Sequence, residues 1–184
     1  MMIAAAVVAA LMAVTSVPPS SEPIPEGYVL LEDSTRSIVI TVPEAWSDIE
    51  VAPIPLEDGS ESPFLAASTD LASLYEGEFT APGVMYASFQ HTDDLLSLKE
   101  TYGPPRNCEL MYDLGYHTDA FFGIVQVGDN CGSQHMTWNM VVANHIGPPH
   151  FTVVVQIQTA SEVERSTVMK SFDAGPNATA VFVP

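Results

Sequence analysis

Two stretches in the last third of the chain alternate with a period of two. In 134–143 (QHMTWNMVVA), Met136, Trp138, Met140 and Val142 fall on one side; in 151–157 (FTVVVQI), Phe151, Val153, Val155 and Ile157 do the same. That period belongs to a strand with one face against a core. A helix cannot present those residues together, because its surface neighbours recur at three and four. The chain must therefore hold a sheet. The short loop 144–150 (NHIGPPH) between the two stretches makes them antiparallel neighbours.

The cysteine pair extends this pattern. Segments 108–114 (CELMYDL) and 120–127 (AFFGIVQV) are both strand-like, and the turn-rich 115–119 (GYHTD) lies between them. The midpoint between Cys108 and Cys131 falls at Asp119/Ala120, so a hairpin folded there sets the two cysteines opposite one another. An even cysteine count in an exported chain is a disulfide signature, and there is no C-x-x-C motif to suggest redox chemistry. Two thiols alone make a poor zinc site. A structural Cys108–Cys131 bond is expected.

The first half alternates short strands with helices. Strands are expected over 28–31, 37–42, 49–52, 64–67 and 83–89, with turns at 32–35 and 43–47. Ser68-Thr69-Asp70 offers cap chemistry for a helix over 71–76. Thr92 is expected to cap a helix over 93–102 with acids in its first turn, ended by Gly103-Pro104-Pro105. Ser161 with Glu164 three residues on forms a capping box, opening a helix whose stripe is Val163, Val168 and Phe172. Neighbouring strands joined by short loops, with helices apart from them, indicate an α+β fold: a mainly antiparallel sheet packed with helices on one or both faces.

Residues 3–14 (IAAAVVAALMAV) form an uncharged apolar run, too short to span a bilayer comfortably. It fits the apolar region of a signal peptide, and 1–16 is expected to be one, or an uncleaved export segment that tethers the chain to a membrane. No Lys or Arg precedes the run. A Pro/Ser-rich linker follows over 17–25, and 26–184 has the size of one domain. Asp and Glu number 23 against 5 Lys and Arg, for a formal charge of −18. Such a surface repels nucleic acid and anionic membranes. It either attracts a cationic partner or serves solubility, and the scattering of the acids favours solubility.

The phrase SIVITVPEAWSDIEV, residues 37–51, resembles the opening of PsbP-like α/β-sandwich domains: a strand, a Pro, and a Trp in the following turn. Nearer still, the chain is similar to small secreted actinobacterial domains sometimes found beside trypsin-like proteases. The similarity runs through LAASTDLASLY (65–75), TAPGVMYASF (80–89), the cysteine hairpin, FTVVVQIQT (151–159) and the last helix. The resemblance implies a PsbP-like sandwich and a non-catalytic, extracytoplasmic domain, and it carries no catalytic residues. Lipoprotein relatives place a Cys directly after the export segment; none stands there in this chain, so lipid anchoring is not implied.

No Ser lies in a G-x-S-x-G elbow, so serine-hydrolase chemistry lacks its motif. Metal chemistry is the stronger chemical rival. His117 with Asp119, and His145 with His150, are the candidate pairs among the histidines, which also include His91 and His135. Neither pair has a recognised ligand spacing. Asp93-Asp94, Asp129-Asn130 and Asp58-Gly59 lack the calcium-loop pattern and are explained by caps and turns. The aromatics of the hairpin are the binding candidates. Tyr112, Tyr116, His117 and Phe122 are expected near its tip, and alternation puts Phe121 and Phe122 on opposite faces. The sequence therefore points to a secreted or extracytoplasmic binding domain, with no catalytic residues, cofactor or metal, whose partner is an extracellular protein or peptide. The alternative is a metal-dependent extracellular enzyme using the histidines.

Overall fold

The computed structural model describes residues 23–56, 59–103 and 107–173. The expected export segment over 1–16 lies outside these residues, as do linker residues 17–22, Asp58, Pro104 and Pro105. In chain order the elements are β1 (Tyr28–Glu32), β2 (Val39–Pro43), β3 (Asp48–Glu50), β4 (Ile54–Pro55), β5 (Glu61–Ser62), β6 (Phe64–Ser68), α1 (Leu71–Glu76) and β7 (Gly83–Gln90). They continue with α2 (Leu95–Tyr102), β8 (Cys108–His117), β9 (Phe121–Cys131), β10 (Met136–His145), β11 (Phe151–Thr159) and α3 (Glu162–Asp173).

Seven strands form one sheet in the order β3-β6-β7-β11-β10-β9-β8, and every pairing is antiparallel. The fold is α+β with a mainly antiparallel sheet, as the alternation requires. The two alternating stretches are β10 and β11, paired through Val141 and Val155. Both faces of the sheet are covered. The two-stranded ribbon β1–β2 and helix α3 lie over one face, where Ile38, Ile40, Trp46, Val168 and Phe172 join the core. Trp46 is the aromatic of the turn after β2, and it is almost wholly buried. The other face meets α1 through Leu71 and Leu74, and α2 through Leu95, Leu98 and Tyr102.

Local chemistry explains the helix ends, with three departures from expectation. Asp70 caps α1 by accepting from the Ser73 amide at 3.1 Å, and Gly77 ends it in the left-handed region. Asp94, not Thr92, caps α2, accepting from the Ser97 amide at 3.0 Å; Thr92 Oγ1 takes the Asp94 amide instead. The helix thus begins two residues later than expected, without acids in its first turn. Ser161 Oγ accepts from the Glu164 amide at 3.3 Å, but the Glu164 carboxylate turns to the Thr159 hydroxyl at 2.6 Å, so the capping box is half made. Val163 points to solvent, and the buried stripe of α3 starts at Val168.

The hairpin also departs in one respect. Gly115-Tyr116-His117 is not turn but the last part of β8, and the tip is only residues 118–120. Thr118 makes that tip: its amide donates to the Phe121 carbonyl at 2.9 Å, and its hydroxyl accepts from the amides of Ala120 and Phe121. Gly115 stays extended because its pair Ile124 continues the ladder. At the open end Cys108 and Cys131 are direct cross-strand partners and are disulfide-bonded. Just before Cys131 the β9–β10 register slips, and Asn130 takes a positive φ of 57°.

Candidate functional site

One row of cross-strand partners runs across the face that carries α3: Leu65, Tyr86, Val155, Val141, Val125 and Leu114. The first four are fully buried, Val125 is partly buried, and Leu114 is 53% exposed. The cause is width. Strands lie about 4.8 Å apart and a helix covers about 10 Å, so the α3 layer cannot reach across all seven. The cover runs out over β8.

β8 is one of the two edge strands, ten residues long, and carries apolar side chains on both parities. Leu110 is 63% exposed, Met111 41% and Tyr112 44%. Its outer edge has no neighbour among the described residues. Natural sheets usually blunt such an edge with lysines, prolines or short length. β8 has no Lys and no Pro.

Beside it, α3 and the hairpin leave an open groove of about 370 Å³. The helix lines it with Glu162, Arg165, Ser166, Met169 and Lys170, the spacing of one helical face. The floor is Leu114, Tyr116, Val125 and Val127. Arg165 pairs with Glu162 on its own helix at the groove's rim. On the opposite face of the hairpin, Lys99 of α2 donates to Asp113 at 2.6 Å, and Gln126 donates to its other oxygen at 2.9 Å. The Lys99 hydrogen bond, more than any other contact, holds the Asp113 carboxyl below its ordinary range.

The four residues singled out from the sequence do not form one patch. Tyr112 and Tyr116 share a parity of β8 and face the α3 side. Tyr116 is half-buried against the core. His117 and Phe122 are cross-strand partners on the other face, their rings 6.0 Å apart and edge to face. Phe122 is exposed while Phe121 is fully buried, as their alternation requires. Sequence reasoning missed Leu110, Met111 and Leu114, which resemble core residues of any strand. Apolar residues on both parities of a segment followed by a turn were the available signal.

The histidines do not gather at one place. His91 and His150 meet edge to face at 5.9 Å, with Asp93 3.3 Å from His91. His145 stacks on Phe151 at 4.7 Å and turns Nδ1 to the carbonyls of Gly147 and Pro149. His117 lies at the hairpin's other face, and His135 is bonded to Asn130. Among the described residues, no three His, Cys, Asp or Glu side chains converge as metal ligands. The Tyr86 hydroxyl is buried without a hydrogen-bond partner in the described structure, its pKa pushed up by burial and then by Asp33, but the core encloses it. No family model and no curated protein matches the chain.

Proposed function

We propose that this chain is a non-catalytic binding domain working outside the cell membrane, and that it takes an extended segment of a partner onto β8. The observation that carries this is the core row ending at an exposed Leu114 on a long, apolar edge strand. An added strand would satisfy the outer backbone groups of β8, and its alternate side chains would enter the groove beside α3. The Cys108–Cys131 bond suits an oxidising compartment. It also braces the hairpin that offers the edge, which reduces the entropy lost on binding. The layered antiparallel sheet fits the PsbP-like sandwich that residues 37–51 resemble, and that resemblance carries no catalytic residues.

Random twelve-residue peptides displayed against the full-length protein test the reading. Enriched peptides should protect β8 amides from hydrogen exchange and should lose binding on a Tyr112→Ser/Leu114→Ser variant with an unchanged fold. Peptides that protect some other face would sink it. Turnover of an extracellular substrate, lost with a chelator and restored by zinc, would replace it with the metal-enzyme alternative.

A further inference from the structure

We infer that the segment β8 receives is cationic, with Lys or Arg among apolar residues. The inference rests on the reading of β8 as a strand acceptor and adds the chemistry of its occupant. Hairpin residues 108–131 carry four acids, Glu109, Asp113, Asp119 and Asp129, and no Lys or Arg. The two parities of β8 differ. Tyr112, Leu114 and Tyr116 look to the groove side, with Leu110 in the same phase. Asp113 takes the other phase with Met111, on the side of α2, from which Lys99 reaches Asp113. The alternation breaks at the open end, where the sulfurs of Cys108 and Met111 both lie at Gly128, and Glu109 is exposed beside that break.

In an antiparallel ladder, side chains directly opposite each other share a face. An incoming strand would therefore meet Leu110, Tyr112, Leu114 and Tyr116 with every second side chain, and would pass Glu109 and Asp113 at two of the other positions, along with Met111 and His117. Opposite charges at such positions stabilise a pair, and like charges destabilise it. Asp113 already holds Lys99 and Gln126, so Glu109 is the nearer anchor. The wider field of a chain at −18 adds long-range attraction for a basic segment.

The same charge argues against a second copy of this chain as the occupant. Two β8 edges paired about a twofold axis would bring both sets of Glu109 and Asp113 to one seam. Each protomer would also bring its own −18.

Three labelled ten-residue peptides test the inference on the full-length protein, each with Val at alternate positions and Lys, Gln or Glu between. Fluorescence anisotropy gives affinity, and amide NMR shifts give the place. The Lys peptide should shift β8 amides and bind about tenfold more tightly than the Gln peptide at low salt. The gap should close in about 0.5 M sodium chloride, and Glu109→Gln should narrow it. Equal binding of the Lys and Gln peptides on β8 would overturn the cationic occupant and leave strand addition standing. Failure of all three to shift β8 would overturn both. Concentration-dependent β8 shifts without peptide, with a dimer in sedimentation, would assign the edge to a second copy and overturn the inference.

Discussion

The rings of Tyr116 and Phe172 lie almost parallel, their planes 22° apart and their centroids 6.3 Å apart. Phe172 also stacks on Phe121 at 5.0 Å and meets Tyr86 edge-on at 5.3 Å. The last turn of α3 is thereby fastened to the hairpin near its tip, just as a covalent bond fastens the other end.

Aromatic truncation should separate anchor from surface. Phe172→Ala should cost about 3–5 kcal/mol. Tyr116→Ala should cost about 1–3 kcal/mol, and Phe122→Ala should stay within about 0.5 kcal/mol of wild type. Urea unfolding followed by tryptophan fluorescence measures all three. A neutral Tyr116→Ala would show that its contact with the core contributes little.

Removing the covalent bond should also be felt. The Cys108→Ser/Cys131→Ser protein should lose about 3 kcal/mol, the stabilisation expected of a loop of this size. Mass spectrometry after alkylation should find no free thiol in wild-type protein made in an oxidising compartment.

The charge balance gives a salt dependence. Ion pairs found among the described residues include Lys99–Asp113 and Arg165–Glu162, and both reach the surface. Exposed pairs contribute at most about 1 kcal/mol each, and a net charge of −18 opposes the compact state through self-repulsion. Sodium chloride up to about 0.5 M should raise the melting temperature, because it screens that repulsion more than it weakens the pairs. A steady fall in a thermal scan would contradict this.

Asp113 should titrate below the ordinary 3.8. Hydrogen bonds from Lys99 and Gln126 and the Lys99 charge favour its ionised form, while partial burial opposes them. A depressed folded pKa contributes stability that is full above the unfolded value and is lost as pH falls through the folded one. Lys99→Met should move the Asp113 carboxyl resonance midpoint upward. It should cost under about 1 kcal/mol at neutral pH, since the pair is solvent-screened. In strong acid the cost should vanish.

Two strand glycines should respond oppositely to alanine. A β-carbon on Gly123 would run into the Val142 carbonyl oxygen and lie 2.5 Å from Ala143 Cα, so Gly123→Ala should cost roughly 1–3 kcal/mol or more. A β-carbon on Gly115 meets nothing within 4 Å, and Gly115→Ala should be neutral or slightly stabilising. Chemical denaturation compares the two.

Much of this fold was legible where the signal is local. The alternation of Met136 to Val142 and of Phe151 to Ile157 marks β10 and β11 because burial imposes the period. The cysteine spacing marks the hairpin because partners in a ladder sit equidistant from its turn. Local competition defeated finer points. Asp94 outcompetes Thr92 as a cap, and Gly115 resembles a turn residue but has a ladder partner in Ile124. The candidate site was illegible for a different reason. Leu110 and Leu114 look like core in their own segment, and only strand order exposes them. That order depends on β11 entering between β7 and β10, a pairing between distant parts of the chain.

That insertion bears on how the chain is made. β3, β6 and β7 are one local meander, and β8 to β11 another, and the β7–β11 pairing joins them into one sheet. Among the described residues β11 is the last strand synthesised, and α3, which roofs the joined core, comes after it. Until both have emerged, the apolar residues of β7 have no neighbour on that side, and the ribbon β1–β2 lacks Val168 and Phe172 above it. A ribosome-bound chain stopped before Phe151 should therefore be a client for holding chaperones, while one released past Phe172 should not.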